Sequence, residues 1–167
     1  KMLDKFLAIA KDTFILNLVE PFFTDARREM SKMRKIYFTD IGLASLLSDR
    51  LHVGDLPTLL NHEHLATFIY NELARQKTFD AIYFYRTIAK ASIDFILKIG
   101  DKLIPVQIAA DRRRLKEGVS VRNFIKKYGA CVPHVIIVTH DEELRIDNAV
   151  IHLPATLLSF MKFDTLL

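Results

Sequence analysis

One cysteine among 167 residues, Cys131, rules out any intrachain disulfide. A reducing cytosol is its natural setting, and a lone thiol just ahead of a strand-like run is expected in the core. Glycine is almost as scarce. With five in total and none arranged as a phosphate-cradling loop, the chain has no ATP site of its own. Long apolar runs are missing too: Lys11 and Asp12 break the stretch near the N-terminus, and nothing approaches the roughly 18 residues of a membrane span. There is no signal-peptide pattern, no internal repeat and no low-complexity segment. These absences describe a soluble, cytoplasmic chain with no membrane partner. Its start on Lys1 is that expected of a piece of a longer protein.

Charge of one sign is also lacking overall. Lys and Arg number 24 against 20 Asp and Glu, and a net charge of +4 does not by itself imply a nucleic-acid partner. Its distribution is more informative. Between Arg112 and Lys127 lie Arg112, Arg113, Arg114, Lys116, Arg122, Lys126 and Lys127, opposed only by Glu117. A second cluster holds Arg27, Arg28, Lys32, Arg34 and Lys35 against Glu29. Half of the residues are hydrophobic, enough to build one domain, or one domain with a fragment of a neighbour.

Periodicity gives the elements. Leu3, Phe6, Leu7 and Ala10 recur at helical spacing from Met2 to Ala10. Phe14 to Val19 then reads as a strand closed by Pro21, and Lys35 to Thr39 as a second strand across a basic, wing-like segment. Asp40 is placed to cap a helix from Ile41 to Leu47, and His52 to Pro57 reads as a linker. A helix from Glu63 to Arg75 has Leu65, Phe68, Ile69 and Leu73 on one face. Strand-like runs follow at Ala81 to Tyr85, Ser92 to Ile99, Leu103 to Ala109 and Pro133 to Thr139, with a helix from Val119 to Tyr128 before the last of these. Gly100-Asp101 predicts a hairpin, and the helix lets the fourth strand join by a crossover. A strand from Ala149 to Leu153 and a helix from Pro154 to Met161 end the chain. The fold class is α/β in the broad sense (α+β), a mixed sheet with an α-β-β-β-α-β core.

Three stretches, Val19 to Leu46, Leu65 to Leu73 and Tyr85 to Ala109, together resemble one family. The most specific match runs from Pro21 through Lys35-Ile36-Tyr37-Phe38 to Gly42-Leu43. The chain is similar to the domain of unknown function at the C-terminus of many bacterial and archaeal AAA+ ATPases. That resemblance implies an ATPase domain earlier in the same chain, which would hold the ATP. It also implies the C-terminal part of a winged-helix region at residues 1 to 50, then a restriction-endonuclease-like domain of the PD-(D/E)xK type at 58 to 167.

The resemblance can be followed residue by residue. A PD-(D/E)xK site holds a divalent metal between an Asp on one strand and a Glu on the next, with a Lys two residues after the Glu. Strand residues two apart share a face, so Glu and Lys point together while a hairpin brings the Asp alongside. Here the Asp is Asp94, but the Glu position is Gln107, the Lys position is Ala109, and a further acidic position on the helix is Ala66. Gln107 offers a neutral carbonyl where Mg²⁺ prefers carboxylate, and Ala109 offers nothing. Losing one such group costs on the order of 10² to 10⁴ in rate, so a resident Mg²⁺ and hydrolysis are not expected. A lone strand Asp is more often held by backbone hydrogen bonds than by a metal, which leaves Asp94 a metal candidate only in principle.

Other readings stay open on the residues alone. Glu63, Glu72 or Asp111 could replace the lost carboxylates and Lys98 or Lys102 the lost lysine, making a nuclease with relocated ligands. His62-Glu63-His64 reads as a solvated helix start, since residues two apart on a helix diverge. Tyr85-Arg86 reads as core packing plus an ion pair. The two basic clusters, on the wing and beside the groove, are candidates for DNA or RNA phosphates. The remaining alternative is a protein-interaction or dimerisation module, in which the chain is a homo-oligomer.

Overall fold

Phe14 shows how the chain turns from its first helix into its first strand. In the computed structural model, which describes residues 2–23, 34–47, 62–87, 91–109, 118–139 and 143–163, helix α1 spans Met2–Asp12 and strand β1 spans Leu16–Val19. The amide of Phe14 bonds the carbonyl of Lys11 at 3.0 Å and that of Ile15 bonds Ala10 at 2.9 Å. This is the paired closure of a Schellman motif. Phe14 therefore sits at the left-handed position with φ 59°, is 82% exposed, and is not the first residue of the strand as its apolar character suggests.

Strand β2 (Lys35–Phe38) pairs antiparallel with β1, Leu16 opposite Phe38 and Val19 opposite Lys35. The carboxylate of Asp40 accepts the Leu43 amide at 2.6 Å and so caps helix α2 (Ile41–Leu47), as its position predicts. Beyond β1, Glu20 to Phe22 lie along strand β3 (Ala81–Arg86): the Phe22 amide bonds the carbonyl of Phe84 at 2.7 Å, and the Phe84 amide bonds Glu20 at 3.2 Å. An otherwise open sheet edge is thereby covered. The expected linker, His52 to Pro57, lies outside the described residues.

Among the described residues the main sheet has six strands, in the order β3, β4 (Ser92–Ile99), β5 (Lys102–Ala109), β6 (Val135–Thr139), β8 (Val150–Pro154) and β7 (Arg145–Asp147). Strands β4 (Ser92–Ile99) and β5 (Lys102–Ala109) form the expected hairpin, with Ile99 opposite Lys102. Gly100 supplies φ 56° at the turn and donates its amide to Asp80 at 2.6 Å. Helix α4 (Val119–Tyr128) carries the chain over to β6 (Val135–Thr139), which lies parallel to β5. The mixed α+β fold and its α-β-β-β-α-β order are those read from the sequence. The chain ends with β8 (Val150–Pro154), parallel to β6, and a 3-10 turn, Ala155–Phe160, in place of the expected final helix. One strand escapes the sequence pattern. Strand β7 (Arg145–Asp147) is three residues long and exposed throughout at the sheet edge, so no apolar alternation marks it.

The sheet is covered on both faces. Helix α3 (His62–Gln76) packs on one, with Ile69 and Leu73 fully buried against Phe95, Leu97 and Ile104. Helix α4 packs on the other through Val121 and Phe124, in a cluster with Ile93, Ile96 and Ile137. Strand β4 feeds both faces out of ordinary alternation because it bulges. Tyr83 is opposite Ile96 and Tyr85 opposite Ile93, so Asp94 and Phe95 together face Phe84. Such bulges re-aim a side chain, and this one falls on Asp94.

The left-handed positions Phe14 and Gly100 make opposite predictions. Phe14→Gly should raise stability by about 1 kcal/mol, and Gly100→Ala should lower it by about the same amount, since a Cβ is disfavoured there. Chemical denaturation midpoints of the two variants check both signs.

Candidate functional site

The bulge in β4 brings Asp94 opposite the end of β5, where the sheet ladder gives way to side-chain bonds. The Oδ2 of Asp94 accepts the backbone amide of Ile108 at 2.8 Å and the Gln107 side-chain amide, through Nε2, at 2.9 Å. The carboxylate thus takes the place of the next ladder acceptor beyond the Phe95–Val106 pair. Its Oδ1 lies 3.4 Å from Nε2 of His62, in the first turn of α3. The Asp94 side chain is only 7% exposed, and a polar group so buried needs hydrogen-bond donors in place of water. Asp94 and Gln107 are therefore brought together as the strand spacing predicts. They meet as acceptor and donor.

Strand β2 supplies the wall facing Asp94. Burial pulls the Lys35 ammonium below the ordinary lysine range, with Asp94 opposing that shift and Arg86 adding to it. Burial also pushes the Tyr37 phenol far above its ordinary value, and Asp94 and Tyr70 push the same way. The rings of Tyr37 and Tyr70 stack with centroids 4.8 Å apart, and Tyr37 is tilted against Phe95 at 5.5 Å. Next to this stack, β2, α2 and the start of α3 enclose a cleft of about 390 Å³ lined by Lys35, Tyr37, His62, Glu63, Ala66 and Thr67, among others.

The other positions named from the sequence fall in different places. Ala66 lines the cleft at 5% exposure. Ala109 is buried among the residues under α4, where a lysine would meet an apolar cluster. Glu72 is turned to the final 3-10 turn, accepting the Ser159 hydroxyl at 2.6 Å and Arg75 at 2.7 Å, and those bonds hold its carboxyl below the usual range. Lys98 and Lys102 belong to the turn end of the hairpin; Lys98 is four residues along β4 from Asp94, roughly 13 Å. Glu63 is exposed at the cleft. Asp111 lies outside the described residues.

The basic clusters are only partly in view. Arg27, Arg28, Lys32, Arg112, Arg113, Arg114 and Lys116 lie outside the described residues. Arg34 pairs with Glu20 at 2.7 Å. On α4, Arg122, Lys126 and Lys127 are exposed, and the Lys127 ammonium lies 5.0 Å above the Tyr128 ring. Tyr85 packs edge-on to Phe124 at 5.0 Å, as expected of a core ring, while Arg86 is exposed.

The expectation of a solvated start to α3 needs correction. His64 is buried at 9%, with Nε2 3.0 Å from the Ser45 hydroxyl, which in turn donates to the Ile41 carbonyl at 2.9 Å. The two histidines diverge as helical spacing requires, but each finds a partner on a different neighbour, β4 and α2. Asn71 lies in the Leu65 to Leu73 stretch that carries the family resemblance. Its side-chain amide donates to the carbonyls of Phe38 at 3.1 Å and Thr39 at 3.0 Å, fixing α3 to the end of β2.

Two outcomes follow. Gln107→Glu replaces the donor facing Asp94 with a like charge, which should cost about 2 kcal/mol at neutral pH. That deficit should shrink as pH falls into the carboxylate range and the pair takes up a proton, as denaturation at several pH values would show. Ser159→Ala should return Glu72 towards its ordinary pKa. Because the folded pKa is lowered, its stabilisation is present above the ordinary carboxylate range and disappears as pH falls through the lowered value. The variant should therefore be less stable by about 0.5–1 kcal/mol at neutral pH and match the parent in acid.

A search of curated proteins and a search of solved structures each found no match. Among protein-family models, the one described as domain of unknown function DUF4143 matches residues 63–158, more than half of the chain. That span includes α3 with its Asn71 clamp, the bulged β4 with Asp94 and the whole mixed sheet. The chain belongs to the DUF4143 family.

Proposed function

We propose that this chain is a non-catalytic accessory module of a prokaryotic AAA+ ATPase. In this reading residues 58–167 form a degenerate restriction-endonuclease-like domain, residues 1–50 end a winged-helix region, and the module binds DNA or RNA through its basic faces. The observation that carries it is the Asp94–Gln107 bond. A divalent cation between these strands needs oxygen acceptors, yet position 107 turns a nitrogen donor towards Asp94, and Ile108 takes the same oxygen. The residues present do not fit Mg²⁺. Among the described residues no group of at least three His, Cys, Asp or Glu side chains is arranged to hold a metal.

The antiparallel β3-β4-β5 strands followed by a parallel β6 support the restriction-endonuclease-like reading, with the acidic residue at a bulge and the eroded position across the hairpin. A nuclease with relocated ligands has less support, because Glu72, Lys98 and Lys102 are turned or spaced away from Asp94. Nucleic-acid binding draws on α4. Its apolar side buries Val121 and Phe124, so Arg122 and Lys126, one helical turn apart, share an outward face. A second reading, self-association, draws on α1, which buries none of its residues and exposes Met2, Leu3, Phe6 and Ile9.

Salt distinguishes the two. Binding to a labelled oligonucleotide, followed by fluorescence anisotropy, should weaken steeply with ionic strength. Arg122→Ala with Lys126→Ala should reduce the logarithmic salt slope by about 1 to 2. Failure of duplex and single-stranded DNA and RNA to bind at low salt would sink the nucleic-acid reading, whereas salt-insensitive self-association would favour the second.

A further inference from the structure

Among the described residues, the Lys35 ammonium beside this site has no ion-pair partner. Asp94 is held by Gln107 and Ile108, with His62 beside it. The Lys35 ammonium, drawn in from β2, rests 5.2 Å above the Phe84 ring. Among the described residues no carboxylate comes within ion-pair distance of it; Asp94 and Arg86 act on it only through their fields. A cation taken partly out of water without a counter-ion is costly, and a ring face offsets only part of that cost. Lys35 also lines a cleft large enough for a small molecule, about 390 Å³, with His62 on the opposing helix.

We propose that this cleft binds a phosphate group, free or carried by a nucleic-acid strand, with the Lys35 ammonium as its counter-ion and the His62 imidazole as a second contact. The ammonium carries hydrogen-bond donors and no acceptor, matching phosphate oxygens. The apolar part of the lining, including Ile36, Phe38 and Ala66, suits a base or other flat body attached to that phosphate better than bulk water. Glu63 also lines the cleft, but it is exposed, where water and salt screen its opposition. The nucleic-acid source rests on the reading proposed above; the free phosphate source does not.

The test uses the whole chain at constant ionic strength, titrated separately with inorganic phosphate, a nucleoside monophosphate and a single-stranded oligonucleotide. Affinity is measured directly, and the histidine ring protons are followed by NMR. Phosphate should shift the His62 ring protons and leave those of His134 and His152 in place. Lys35→Met keeps most of the stem without the charge, and it should weaken phosphate and monophosphate binding roughly tenfold or more. Arg122→Ala with Lys126→Ala should leave those two ligands unaffected. Unchanged phosphate affinity in Lys35→Met overturns the proposal. So does an unmoved His62 signal in the parent chain, a measurement that stands even if the variant does not fold. Oligonucleotide binding lost in the α4 variant but untouched in Lys35→Met, with no phosphate binding, removes the cleft and leaves the nucleic-acid reading standing. Absence of all binding removes both.

Discussion

A buried carboxylate has to be satisfied, and the region around Asp94 is organised by that requirement. Removing a charge from water costs several kcal/mol unless donors replace the lost hydration. Here the donors come from adjacent positions of β5, the backbone of Ile108 and the side chain of Gln107, and His62 approaches from α3. The bulge that falls on Asp94 also shifts the alternation of β4, so Phe95 and Leu97 serve one core face while Ile93 and Ile96 serve the other. One local irregularity therefore determines both the site and the packing of the two helical layers.

The same bonds account for the difference between this arrangement and a metal centre. Two facing carboxylates repel each other and need a cation between them, whereas a carboxylate and an amide attract and close the gap themselves. Gln107 faces Asp94 as a hydrogen-bond donor, and that bond ties the two strands together. Ala109, two residues on, then has no charge to present and becomes part of the apolar cluster under α4.

Around this centre, α3 connects the N-terminal strands to the main sheet. Asn71 bonds the end of β2, His64 meets Ser45 of α2, and Glu72 reaches the final 3-10 turn through Ser159. The stacked Tyr37 and Tyr70 rings fill the space between them. Moving the N-terminal strands relative to the sheet would require breaking several of these contacts at once. The first half of the chain is thus fastened to the second by polar bonds at the rim and aromatic packing inside.

The sequence by itself determined most of the elements, because helix and strand signals are local. The family resemblance carried by its motifs pointed to Asp94, Gln107, Ala109 and Ala66. Phe14 and β7 were hidden from it: a left-handed helix end carries no apolar signal, and a three-residue edge strand has too few residues to show a period. Only the tertiary structure decided the partners. His62 and His64 differ by two positions yet meet β4 and α2, and Lys35 leaves its basic neighbours for a ring and a cleft. Those outcomes depend on which elements pack together across long stretches of chain, and that is settled by the burial of both sheet faces, not by any local pattern.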